Sequence, residues 1–273
     1  MTQWPFEPMN DREFEAYSGL IERLVGIHLT PLKRAMVSGR LSRRLRELGV
    51  ASFGDYFRLI DDGGDAAERQ VAIDLVTTNE THFFREPKHF ELLKQRLLPS
   101  LDSKTLRVWS AACSSGEEAY SIAMVMADVL GEEAAWEVFG SDVSLRMLQM
   151  ARRALYPLDR ARELPLDYLR RYCLRGTGEY AGTLLVERAL RRHTQFARLN
   201  LIEPLPEIGR FDLIFLRNVI IYFDADTKRR VVGSVASRLR PGGWLVVGHA
   251  ESLIDVPPGL GQVLPTVYRK GGA

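Results

Sequence analysis

The chain has 273 residues, room for one large domain or two smaller ones, and its 46% hydrophobic and 26% charged residues are those of an ordinary globular protein. A formal net charge of +2 argues against nucleic acid or a membrane surface as partner, and no apolar run approaches the roughly 20 residues of a membrane span. Cys113 and Cys173 form no CxxC, and His28, His82, His89, His193 and His249 show no metal-ligand spacing, so a cytoplasmic protein without metal is expected.

The opening stretch, MTQWPFEPMNDREFE, has no basic region followed by an apolar one, so no signal peptide is expected. Phe14, Tyr17, Ile21, Leu24 and Val25 make one face of a helix over Asp11–Val25. Thr30 as N-cap and Pro31 at the first helical position announce a second helix, with Val37, Leu41, Leu45 and Leu48 as its stripe and Gly49 as its stop. Shorter helices follow over Phe53–Ile60 and Glu68–Val76, separated by DDGGD. These elements predict a helical N-terminal domain. The next stretch, TTNETHFFREP (77–87), has neither strand nor helix periodicity, which marks it for a special role.

From Leu106 strands and helices alternate. LRVWSA (106–111), WEVFGSD (136–142), FDLIFL (211–216) and WLVVG (244–248) read as strands. Residues 117–130, 144–155 and 225–239 read as helices, and TVYRK (266–270) as a final antiparallel edge strand. The order predicts a parallel sheet covered by helices, with ligands at the carboxyl ends of the strands. Residues 157–198 interrupt the alternation, and the runs Thr183–Glu187 and His193–Ala197 predict a small antiparallel insertion.

The first strand ends in SAACSSGEE (110–118), where small residues let a ligand approach the backbone and the next helix offers free N–H groups. Only Gly116 is glycine, so the dinucleotide fingerprint is absent and a pyrophosphate ligand is disfavoured. Ser114 with Glu117, or Ser115 with Glu118, makes a capping box, and spacing leaves open which glutamate faces a ligand. Asp142 ends the second strand, where an acidic residue holds ribose hydroxyls; the bland alternative is a helix cap, a role Ser144 can fill. Arg217, Asn218 and Tyr222 follow the strand at 211–216, over the same crevice. An adenosyl ligand without pyrophosphate fits this set, and S-adenosylmethionine is such a ligand.

TTNETHFFRE, RVWSAACSSGEEAYSIAM, FGSDVS, RLNL, FDLIFLRNVIIYF and PGGWLVVGHAESL resemble successive motifs of the CheR-type chemotaxis receptor methyltransferases, which are protein-glutamate O-methyltransferases. The resemblance runs from about Leu20 to Tyr268. It implies an all-α domain and linker over 1–85, then a Rossmann-like S-adenosylmethionine-binding α/β domain over 86–273 with the antiparallel β-subdomain inserted at about 157–198. It implies that Asn79, Thr81, Arg85, Glu117 or Glu118, Asp142, Asn200, Leu201, Arg217 and Asn218 contact the cofactor. Phe83 and Phe84 would pack the joint between domains, and Arg85 and Tyr222 would shape the reaction centre, with no metal. It further implies glutamate methyl esters on the cytoplasmic helices of a chemoreceptor, with S-adenosylhomocysteine as the other product. Docking is expected at the basic helix Lys33–Arg46, where Lys33, Arg40 and Arg44 share a face, or at the β-subdomain. A monomer is expected, without nucleic acid or membrane insertion. The rival readings are a methyltransferase for another substrate and an S-adenosylmethionine sensor without transferase activity.

Overall fold

The computed structural model describes residues 8–61, 63–253 and 255–272; the first seven residues of the stretch read for a signal peptide, and one residue of DDGGD, lie outside the described residues. The chain forms two compact units, one of residues up to Thr78 with Tyr222–Thr227, the other of Asn79–Ile221 with the chain from Lys228 onward.

The first unit is helical: α1 (Asp11–Val25), α2 (Arg34–Leu48), α3 (Phe53–Ile60) and α4 (Ala66–Val76). Asn10 and Glu13 form a reciprocal capping box at the start of α1, and Gly26 ends it in the left-handed region. Thr30 and Pro31 start a single 3-10 turn, Pro31–Lys33, before α2 begins. Phe14, Tyr17, Leu20 and Ile21 of α1, Val37, Leu41 and Leu45 of α2, and Tyr56 and Ile60 of α3 are buried, as the stripes require. Leu48 is exposed instead.

The basic residues of α2 correct one expectation. Arg40 Nη1 donates to the carbonyls of Leu75, Val76 and Thr77 at 3.0, 3.3 and 2.9 Å, satisfying acceptors that the end of α4 leaves open. Arg44 grips both carboxylate oxygens of the buried Glu68, at 2.8 and 2.6 Å, and Tyr56 donates its hydroxyl to the same carboxylate at 2.6 Å. Both arginines hold the helical unit together and are not a free docking face. Lys33, Arg34, Arg43 and Arg46 are the outward basic residues of this segment, Arg34 pairing with Asp11.

The second unit opens with α5 (Pro87–Leu92), continued by a π-helical turn at Leu93–Leu97. Then come β1 (Leu106–Ala111), α6 (Glu117–Leu130), β2 (Trp136–Asp142) and α7 (Leu145–Arg153). The insertion contributes β3 (Leu155–Pro157), α8 (Leu166–Tyr172), β4 (Cys173–Arg175) and β5 (Thr183–Val186), after which α9 (Arg188–Arg192) leads to β6 (Thr194–Arg198). The series closes with β7 (Phe211–Leu216), α10 (Ala225–Ser237), β8 (Leu239–Val247), β9 (Leu260–Leu264) and β10 (Val267–Lys270).

The main sheet has the order β6-β2-β1-β7-β8-β10-β9, and β3-β5-β4 form a separate antiparallel sheet. Strands β6 to β8 pair in parallel, whereas β10 is antiparallel to both β8 and β9. Two strands depart from expectation. The run at 193–197 is β6, an edge strand of the main sheet parallel to β2, and not part of the insertion. Its half-exposed, polar sequence is that of an edge, which patterning alone does not separate from a surface hairpin. The strand at 267–270 is not the edge either, since β9, whose middle residues are exposed, covers it.

The chain leaves β1 for β2 and β6 on one side, then returns to β7 on the other. The switch point between β1 and β7 opens a crevice at the carboxyl ends of the strands, where open α/β sheets bind ligands.

Candidate cofactor site

The loop leaving β1 is strained and locked. Ala112 (φ 61°), Ser114 (φ 50°) and Gly116 (φ 96°) take left-handed conformations. At Gly116 a Cβ would stand 2.7 Å from Ala151 Cβ and 3.0 Å from the Tyr156 hydroxyl, so only glycine fits. Strand β2 holds the rest, because Cys113 N–H donates to the Ser141 carbonyl at 2.9 Å and Ser114 N–H to Asp142 Oδ2 at 2.8 Å. Gly116 is the N-cap residue of α6, and no serine caps that helix, so the expected capping box does not form.

Asp142 therefore joins two loops. Its second oxygen accepts Ser144 N–H at 2.8 Å, while the Ser144 hydroxyl caps α7 by accepting Met147 N–H at 3.2 Å. Leu199 N–H donates to the Asp142 carbonyl at 3.1 Å, which brings the buried Asn200 and Leu201 to the same end of the sheet.

The two glutamates of GEE have separate partners. Glu117 is fully buried, accepting from Ser115 Oγ and Arg160 Nη1, each at 2.7 Å. Glu118 accepts from Ser110 Oγ at 2.7 Å and from Arg217 Nη1 at 2.9 Å. Burial pushes both carboxyls above their ordinary range, against the pull of these partners.

Arg217 is the hub of the crevice, its side chain 1% exposed. Besides Glu118 it pairs with Glu86 Oε2 at 3.0 Å, and its Nη2 donates to the Arg85 carbonyl at 2.5 Å. Asn218, at φ 57°, donates Nδ2 to Glu86 Oε1 at 3.1 Å. Its backbone N–H donates to Glu251 Oε2 at 2.6 Å, and the same carboxylate accepts from Gly248 and Ile221 N–H. Burial alone would raise the Glu86 carboxyl; His89, Arg217 and Asn218 outweigh it and hold it well below the usual carboxylate range.

The segment after Thr78 belongs to this unit. The Asn79 carbonyl accepts from Ser114 Oγ at 3.2 Å, the Thr81 carbonyl from Arg160 Nη1 at 3.3 Å, and Arg85 Nη1 donates to Glu80 O at 2.7 Å. Phe83 and Phe84, expected at a joint between domains, lie in the α/β core, Phe83 edge-on to Tyr156 at 5.0 Å and Phe84 against Phe90 at 4.8 Å. That answers the missing periodicity of TTNETHFFREP: with Phe84 and Glu86 at positive φ, each side chain is aimed singly.

The α/β unit thus gathers every expected cofactor residue at one end of its sheet. Tyr222 alone groups with the helical unit, where its carbonyl accepts His28 N–H at 2.9 Å. Sequence reasoning missed Glu86, Arg160 and Glu251. Glu86 and Glu251 stand inside quoted motifs, whereas Arg160 carries no signal at all.

The donor set suits S-adenosylmethionine, a sulfonium cation joined to an amino acid and an uncharged nucleoside. Asp142, Glu118 and Glu86 line the crevice with acid, which attracts that cation and repels a pyrophosphate. A doubly wound sheet with such a crevice defines a nucleoside-ligand enzyme of the S-adenosylmethionine-dependent methyltransferase class.

The chain belongs to the CheR methyltransferase family: residues 12–77 match its all-alpha domain and residues 79–266 its SAM binding domain. It is 42% identical over 246 residues to the chemotaxis protein methyltransferase of Escherichia coli K12, covering 89% of this chain and 85% of that one. The Salmonella typhimurium protein of the same name is 41% identical over 91% of this chain and 86% of its own. Chemotaxis protein methyltransferase 2 of Pseudomonas aeruginosa is 39% identical over 94% and 92%. The protein is a methyltransferase with S-adenosylmethionine as its cofactor. No helix among the described residues is long and apolar enough to cross a membrane.

Proposed function

We propose that the chain methylates glutamate side chains on the cytoplasmic helices of a chemoreceptor, as a cytoplasmic monomer, leaving methyl esters. The observation that carries this reading is the similarity to chemotaxis protein methyltransferases across both units, so that the helical unit comes with the catalytic one.

Bound S-adenosylmethionine supplies an electrophilic methyl group on a positively charged sulfur. A glutamate carboxylate, with a free pKa of about 4.3, is already ionised at neutral pH, so no residue of this chain has to remove a proton. As the carboxylate oxygen bonds to the methyl carbon, the carbon–sulfur bond breaks and its electron pair stays on sulfur. Opposite charges cancel, which a water-poor site favours. What remains for the protein is alignment. Asp142 is assigned the ribose hydroxyls, with Asn79, Thr81, Glu117, Glu118, Asn200, Leu201 and Asn218 bordering the cofactor. Arg217 is held between Glu86 and Glu118 and so fixes the floor of the crevice without itself gripping a substrate carboxylate. Arg85 is freer, bonded through its guanidinium only to a backbone carbonyl among the described contacts, and is assigned to orient the incoming carboxylate. Tyr222 is assigned a neutral orienting hydroxyl at the reaction centre. The receptor is met by the outward basic residues Lys33, Arg34, Arg43 and Arg46 or by the small antiparallel sheet.

The acceptor is tested by offering receptor cytoplasmic fragments from the same organism and mapping added methyl groups by peptide mass spectrometry. Methyl groups on glutamates, lost when those glutamates become glutamine, support the reading. Methylation confined to other residue types, or none with cofactor binding intact, contradicts it.

A further inference from the structure

Sequence spacing gave no reason to look for a metal, but the fold brings Glu86, His89 and His249 together at the carboxyl end of β8. One ligand-type atom from each lies within 4.8 Å of the other two. Glu86 Oε2 stands 3.3 Å from His89 Nδ1 and 3.9 Å from His249 Nδ1, and the two imidazoles meet at 4.7 Å between ring centres. Ligands at 2.0–2.1 Å around a tetrahedral ion lie about 3.4 Å from one another, so a small turn of the half-exposed His249 side chain completes the set.

The surroundings of His89 add to this proximity. Its ring is buried, with Nε2 2.9 Å from Thr266 Oγ1. The Thr266 hydroxyl also lies 2.6 Å from the Pro265 carbonyl, and when it donates there Nε2 carries the imidazole hydrogen and donates to Thr266. Nδ1 is buried, meets no geometric hydrogen-bond partner among the described residues, and lies 3.3 Å from the Glu86 carboxylate. The carboxylate oxygen it faces also pairs with Arg217 Nη2 at 3.0 Å and accepts the His249 backbone N–H at 3.2 Å. A Thr–His–metal chain, in which the far nitrogen donates to an outer oxygen, is the arrangement that fixes a ligating imidazole.

We propose that Glu86, His89 and His249 form a binding site for a divalent transition-metal ion of the zinc type, with water completing the coordination. Arg217 on the same carboxylate does not forbid it. Its other arm pairs with Glu118, so two carboxylates against one guanidinium leave one net negative charge, and ligating carboxylates ordinarily accept outer hydrogen bonds as well. Because Glu86 also receives Asn218 and Arg217, an ion there would stiffen the floor of the cofactor crevice.

The test is calorimetric titration of Zn2+ into the untagged, chelator-stripped full chain, repeated with His249→Ala, and with Co2+ absorption as a second readout. The expected result is one Zn2+ per chain, weakened about tenfold or more in His249→Ala, and Co2+ bands of nitrogen–oxygen coordination. Absence of saturable one-to-one binding overturns the proposal. So does binding unchanged in His249→Ala, or a thiolate-to-cobalt band, either of which sends the ion elsewhere.

Discussion

Asp142 carries three loads on one carboxylate, since it fixes the β1 loop through Ser114, the start of α7 through Ser144, and, in the proposed reading, the ribose. Asp142→Asn puts an amide N–H against one of those backbone N–H groups. A hydrogen bond to a charged group contributes about 1.5–3 kcal/mol, so S-adenosylhomocysteine affinity should fall roughly ten- to a hundredfold by calorimetry. An unchanged affinity would remove Asp142 from the cofactor site. Tyr222→Phe should instead lower kcat and leave cofactor affinity alone, and loss of binding would count against a role in orientation. Residues of this kind are legible where a polar group interrupts an apolar strand end, as Asp142, Arg217 and Asn218 do. Glu86 was not legible, because its partner Asn218 is 132 positions away and only the fold joins them. His89 and His249 escaped notice for the same reason.

Among the elements, the turn expected at 241–243 lies inside β8, and the short helices α5, α8 and α9 have no counterpart in the reading, but α1, α3, α6, β1, β2 and β7 were read to the residue because their periodicity and their burial agree. The edges were not. Strands β6 and β9 are half-exposed, and their partners decide their place more than their sequences do. Charge on a helix face misleads in the same way: Arg40 and Arg44 look like a solvated strip but each closes a tertiary contact. Arg44→Ala leaves Glu68 buried without its cation and should cost about 3 kcal/mol. The cost should appear as faster amide exchange in α2 and α4, and unaltered exchange there would contradict the account. Asp128 on α6 ties down the insertion by accepting from Tyr168 and pairing with Arg171 of α8, and it also pairs with Lys94. Burial would raise its carboxyl, yet Lys94, Tyr168 and Arg171 lower it from 3.8 to about 2. A depressed folded pKa means the stabilisation is present above about pH 4 and vanishes as the pH falls through 2. Asp128→Asn should therefore cost about 2 kcal/mol at pH 7 by urea denaturation, with the gap to wild type closing toward pH 2. A gap that does not depend on pH would show the loss is not electrostatic.

For the whole molecule, the sequence divides its labour plainly. A near-neutral charge, an all-α unit and a doubly wound unit were visible in composition and alternation, and of the acidic lining of the crevice Asp142 stands at a strand end and Glu118 at a helix start, whereas Glu86 joins them only through the fold. What the helical unit recognises is not written in periodicity, since its charged faces serve its own packing as readily as a partner. The central claim concerns the bond that is made. Transfer of label from methyl-labelled S-adenosylmethionine to receptor cytoplasmic fragments, followed by mild alkali, tests it directly. The account predicts label on the receptor that base releases as methanol, the mark of a carboxyl ester. Cofactor binding with no transfer to any fragment, or label that resists base, would contradict it.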